Sequence, residues 1–136
     1  MTLTQEQKDR IIKDLNDFAD KQYGALTKEQ RKNLGAFYTP PALVIKMIEK
    51  LKNVDDDICD CCIGAGNLIV GAIIAGADPK RCYGIELDEG QAQLCRDRLA
   101  TYGVPPENIV TGSCLDESSW EKLQCYKKKI QFGVKA

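Results

Sequence analysis

The stretch Ile58-Cys59-Asp60-Cys61-Cys62-Ile63-Gly64-Ala65-Gly66-Asn67-Leu68-Ile69-Val70 decides how the rest of the chain is read. An apolar run predicts a buried strand through Cys62, a glycine turn follows, and an apolar helix leaves it. Gly64 and Gly66 lack a Cβ, so the backbone there can take a positive φ and a ligand can lie close against it. Asp60 would stand at the carboxyl end of the strand, where open α/β sheets bind their ligands. The pair of glycines alone equally fits a plain strand-to-helix turn. Asn67 and Leu68 stand where a dinucleotide fingerprint would continue toward its third glycine, which argues against a nicotinamide or flavin site.

Working outward, Cys82-Tyr83-Gly84-Ile85-Glu86-Leu87-Asp88 predicts a second buried strand with a carboxylate at its end. It lies roughly twenty residues beyond the glycines, the spacing at which nucleotide-binding sheets hold a ribose. A carboxylate only accepts hydrogen bonds, so Glu86 suits a pair of ribose hydroxyls; it could equally be the N-terminal charge of the next helix. Asp88 is positioned to cap a helix over Glu89 to Tyr102, closed by Gly103. Pro105-Pro106 stops further helix, and a third strand is expected from Asn108 to Gly112. Strands alternating with helices predict a parallel sheet with right-handed crossovers.

Upstream, Thr4-Gln5-Glu6-Gln7 has the form of a capping box ahead of Ile11, Ile12, Leu15, Phe18 and Ala19 at helical spacing. Thr27-Lys28-Glu29-Gln30 repeats the form for a short helix ending at Gly35. Thr39 is a plausible N-cap with Pro40 at the first helical position, leading a helix through Leu43, Val44, Met47, Ile48 and Leu51. Asp55-Asp56-Asp57 reads as charge blunting the strand edge that follows. Ser118-Ser119-Trp120-Glu121 looks like a further capping box.

The three segments Gly35-Ala36-Phe37-Tyr38-Thr39-Pro40-Pro41, Asp60-Cys61-Cys62-Ile63-Gly64-Ala65-Gly66-Asn67-Leu68 and Tyr83-Gly84-Ile85-Glu86-Leu87-Asp88 occur in order and in register. Together they resemble the cofactor-binding half of DNA adenine (amino-group) methyltransferases of the restriction-modification type, over roughly Leu34 to Trp120. The resemblance implies a partial doubly wound parallel sheet of about four strands, the Rossmann-like class I methyltransferase fold. Residues 1–34 would be a helical extension and 35–136 the S-adenosylmethionine-binding domain. It further implies that Asp60, Gly64, Gly66 and Asn67 shape the loop under the methionine part, with Glu86 and Leu87 at the ribose. Tyr38, Thr39 and Pro40 would cover the methionine end. Ser113, Cys114 and Asp116 fall at the adenine edge, although the family usually has an acidic residue where this chain has Ser113.

A fourth strand is expected within Lys129 to Ala136, where the family carries Asn or Asp, then Pro-Pro and an aromatic. No such tetrapeptide occurs in the chain. The resemblance therefore implies methyl transfer only with catalytic strands supplied in trans by a complementing methyltransferase chain, and DNA contact only through that partner. Self-association through an open sheet edge at Lys129 to Val134 is a further expectation. The rival reading is a catalytically inactive protein that binds S-adenosylmethionine or docks onto a partner.

Composition narrows the classes. With 19 Lys and Arg against 20 Asp and Glu, the net charge of −1 argues against a strong electrostatic hold on nucleic acid. The chain lacks histidine, which removes the commonest general base and the Ser/His and Cys/His nucleophile pairs. Its 7 cysteines lie mainly in apolar runs, as expected of reduced thiols in a cytoplasmic protein, and no signal or membrane-spanning segment is expected. No metal site is expected from Cys59-x-Cys61-Cys62, since neighbouring strand residues face opposite ways and the spacing is not CxxC.

Overall fold

The computed structural model describes residues 1–32 and 38–123. Three parallel strands form its sheet in the order β1-β2-β3, with β1 at Ile58–Asp60, β2 at Cys82–Glu86 and β3 at Ile109–Thr111. Ile58 pairs with Cys82, and Gly84 with Ile109. This is a partial Rossmann-like α/β fold. The expected fourth strand and the sheet edge at Lys129 to Val134 lie outside the described residues.

Strand β2 is buried at every position, as a central parallel strand covered on both faces must be. Period-two alternation divides its neighbours between two cores. Cys82, Ile58 and Ile109 join Val44, Ile48, Ile69, Val70 and Leu99 on one side, while Tyr83, Ile85 and Val110 meet Leu123 on the other. Gly84 is small for a packing reason: an added Cβ would stand 2.8 Å from Ile63 Cβ, where the glycine loop crosses β2.

Six α-helices accompany the sheet among the described residues. Helix α1, Gln5–Tyr23, begins with the expected capping box: Thr4 Oγ1 accepts from Gln7 N and Gln7 Oε1 accepts from Thr4 N. It buries Ile11 and Leu15 against α3 (Pro41–Glu49) and α4 (Asn67–Ile74), whereas Ile12 is exposed. The short α2, Lys28–Lys32, carries the second capping box at Thr27 and Gln30, and its expected end at Gly35 lies outside the described residues. Gly71 lets α3 and α4 approach closely, since a Cβ there would be 2.6 Å from Val44 Cγ1. Helix α5, Glu89–Ala100, crosses from β2 to β3, and α6, Glu117–Glu121, follows β3.

Several element ends differ from expectation for identifiable reasons. Thr39 is not the N-cap of α3; Pro40 is, with an extended ψ of 151°, and Pro41 is the first helical residue. A residue preceding proline is pushed out of the helical region, so Pro40 cannot itself start the helix. Strand β1 stops at Asp60, because the Asp60 carboxylate accepts from Cys62 N at 3.1 Å and turns the chain. Asp116 rather than Ser118 is the N-cap of α6, without a side-chain bond. The acidic run also does more than blunt an edge: Asp57 pairs with Arg81 at 2.9 Å, and Arg81 donates to Asp55 O, tying the entry of β1 to that of β2.

Candidate functional site

The carboxyl ends of the three strands carry two loops that face each other across Glu86. The first is residues 61–66. After the Asp60 turn, Ile63 N donates to Ile85 O at 3.0 Å and Gly66 N to Ile63 O at 2.9 Å, so the loop is laid across β2 by backbone bonds. Gly64 and Gly66 take φ of 55° and 90°, which a side chain would resist. Gly66 also fits against α5, where a Cβ would stand 3.2 Å from both Cys95 Sγ and Leu99 Cδ2.

Glu86 is buried, and each of its oxygens is held. Oε1 accepts from Gly64 N at 3.1 Å and Oε2 from Asp88 N at 2.8 Å. A carboxylate has about four acceptor positions, so one on each oxygen is left for a ligand. The side chain therefore links the glycine loop to the start of α5 and still offers two acceptors. The Asp60 carboxyl is pushed above its usual range by burial and, to a lesser degree, by the Glu86 charge, against the pull of the Cys62 N–H.

The second loop follows β3. Gly112 N donates to Glu86 O at 2.8 Å, Ser113 Oγ accepts from Leu115 N at 3.1 Å, and Cys114 O accepts from Trp120 Nε1 at 2.7 Å. Between the loops lies a cavity of about 320 Å³ whose walls include Cys62, Glu86, Leu87, Ser113, Cys114 and Leu115. That volume is at the lower end of small-molecule sites. Leu87 and Leu115 are 73% and 90% exposed, which leaves two apolar faces beside the carboxylate.

Asp116 is exposed at the start of α6, outside the walls of this cavity. Tyr38, Thr39 and Pro40 reach the glycine loop through Asn67, whose Nδ2 donates to Thr39 O at 2.7 Å. The Tyr38 ring packs edge-on to Tyr23 and its hydroxyl donates to Leu15 O at 3.4 Å, so it is held by α1. Burial pushes the Tyr38 hydroxyl above its usual pKa.

Arg98 was not singled out by the sequence reading. Its Nη1 donates to Ala65 O at 2.8 Å and to Asn67 Oδ1 at 2.7 Å, and its guanidinium lies 3.7 Å from the Phe18 ring centre. It thereby joins α1 and α5 to both ends of the Ala65–Asn67 turn. Burial lowers its pKa from the usual guanidinium value. The signal was present: on α5, Arg98 falls between Cys95 and Tyr102 on the face that the apolar spacing marks as buried.

This geometry, three parallel strands ending in a glycine loop, a carboxylate and a third loop, has a counterpart among known families. The model for N-6 DNA methylases matches residues 14–132. The chain belongs to the N-6 DNA methylase family. It is also 31% identical, over 88 residues, to a Type II methyltransferase, M.VspI, of Vibrio sp. (strain 343). The similarity covers 62% of this chain and 22% of that relative, so the chain spans well under half of that methyltransferase's length. No solved structure matches the chain. Among the described residues no helix is long and apolar enough to cross a membrane.

Proposed function

We propose that these residues form the S-adenosylmethionine-binding portion of a DNA adenine methyltransferase. The observation that carries this reading is Glu86, a buried carboxylate at the end of the middle strand. It is fixed by two backbone N–H groups and has acceptor capacity left toward an open cavity. Two acceptors side by side match a vicinal diol such as the ribose hydroxyls. The exposed faces of Leu87 and Leu115 suit a flat base between them, and the Ser113 hydroxyl and the Cys114 N–H offer it an acceptor and a donor.

On the other side of Glu86, the positive-φ turn at Gly64 leaves room for a ligand against the backbone, near Asp60, while Gly66 packs against α5 beneath it. Tyr38, Thr39 and Pro40 would cover this methionine end, held by the Asn67 bond to Thr39 O. S-adenosylmethionine, when bound, supplies an electrophilic sulfonium methyl. This chain's contribution is to bind and orient it. The acceptor side needs the Asn/Asp-Pro-Pro-aromatic segment, which would come from outside these 136 residues.

Calorimetric titration with S-adenosylmethionine and S-adenosylhomocysteine tests the reading. Saturable binding should fall at least tenfold in Glu86→Ala and in Leu115→Lys. The second variant changes an exposed side chain and leaves the fold intact. Absence of binding by the folded protein, or binding indifferent to both variants, would overturn the proposal. Binding without methyl transfer to DNA in the presence of a partner bearing the catalytic segment would instead favour an inactive cofactor-binding protein.

A further inference from the structure

Three thiols from two separate loops meet at the wall of this cavity. The sulfurs of Cys61, Cys62 and Cys114 all lie within 4.8 Å of one another. Cys61 and Cys62 are exposed and Cys114 is half-buried, and all three are free thiols. Adjacent cysteines in a strand would face opposite ways, but these two follow the end of β1, where the Asp60 turn removes the pleat and lets both sulfurs reach the same side. Cys114 comes from the loop after β3, held by its carbonyl on Trp120.

We propose that Cys61, Cys62 and Cys114 form a three-sulfur site for a soft d¹⁰ cation of the Zn²⁺ or Cd²⁺ type, clamping the glycine loop to the loop after β3. Zinc–sulfur bonds of about 2.3 Å put ligand sulfurs about 4 Å apart. The observed separations are therefore within a small side-chain rotation of a coordinated set. Thiolates select soft cations over the oxygen-preferring Mg²⁺ and Ca²⁺. A set of three leaves one position of a tetrahedral ion for water or another ligand. On binding, each coordinated thiol releases its proton to solvent and forms one sulfur–metal bond, with no change of oxidation state. The site needs no nucleotide but shares the wall of the cavity proposed for the adenine, so the metal titration is made without nucleotide present.

The test is titration of the reduced, oxygen-free protein with CdCl₂, following thiolate-to-cadmium charge-transfer absorption in the ultraviolet, with native mass spectrometry for stoichiometry. One ion per chain is expected. The Cys61→Ser/Cys62→Ser/Cys114→Ser variant should lose at least 100-fold in affinity, while Cys59→Ala, in the packed face of β1, should bind as the unaltered protein does. ZnCl₂ should displace part of the cadmium signal and raise the melting temperature of the unaltered protein only. Retained cadmium absorption in the triple variant, or no absorption in the unaltered protein, would overturn the site. Because two of the three cysteines are exposed, the Ser variants keep the fold, and their circular dichroism serves as the check.

Discussion

Replacing Arg98 with Met keeps an unbranched stem on the buried face of α5 and deletes the guanidinium. Two charge-assisted hydrogen bonds, to Ala65 O and Asn67 Oδ1, disappear, and each is worth about 1.5–3 kcal/mol. The contact with Phe18 goes as well, at about 1–2 kcal/mol for a desolvated pair. In the other direction, Arg98 is only 8% exposed, and its Nη2 has no partner among the described residues. Removing a buried cation recovers several kcal/mol of desolvation. Because Ala65 O and Asn67 Oδ1 are then left without their donor, the balance favours the native residue by about 2–3 kcal/mol. Urea and thermal unfolding should show that loss, with a melting temperature lower by about 7–10 °C for a chain of this size. A double-mutant cycle with Phe18→Leu isolates the ring contact, with a coupling of about 1 kcal/mol expected. An Arg98→Met protein as stable as the original would refute the reasoning, by showing that the guanidinium's bonds only repay its burial.

Three further outcomes follow from the site's geometry. Gly66→Ala combines a left-handed backbone with crowding against Cys95 and Leu99, and should lower unfolding free energy by about 2–3 kcal/mol in urea titration. Gly84→Ala forces Ile63 off β2, and the same assay should show a loss of about 3 kcal/mol. Asp60 has a folded-state pKa raised above its unfolded value, so the folded protein holds that proton more firmly. Its contribution to stability is full below the ordinary Asp value of 3.8 and is lost as pH rises through the raised folded value. Asp60→Asn keeps an oxygen for Cys62 N but cannot ionise, so it should be the more stable protein at pH 7. The gap should shrink as pH falls toward the ordinary Asp value, and a gap that stays constant in urea melts across that range would contradict the assignment.

The sequence by itself was sufficient for the element order, the parallel α/β class and the family resemblance, because these rest on local rules. Capping boxes at Thr4 and Thr27, the Asp88 cap, glycines at turns and the strand-helix alternation are all written within a few residues of where they act. Element ends were less legible. The strand through Cys62 was cut at Asp60 by a side-chain turn, and the N-cap expected at Thr39 moved to Pro40 under the constraint of Pro41. Both are competitions between neighbouring residues that spacing does not decide.

Only the tertiary structure decided which distant groups meet. Glu86 could be marked as a carboxylate at a strand end, but that Gly64 N and Asp88 N occupy half of its acceptor capacity depends on a loop crossing β2. Arg98 looked like one charge among many on α5 until helix packing placed it under Phe18 and against the Ala65 carbonyl. The Cys61-Cys62 pair argued against a metal as long as both stood in a pleated strand, and Cys114 is more than fifty residues away in the chain. The turn after β1 and the parallel pairing of three strands bring their sulfurs within 4.8 Å. Periodicity encodes which face of an element is buried, whereas the proximity of two loop ends is a property of the sheet that carries them.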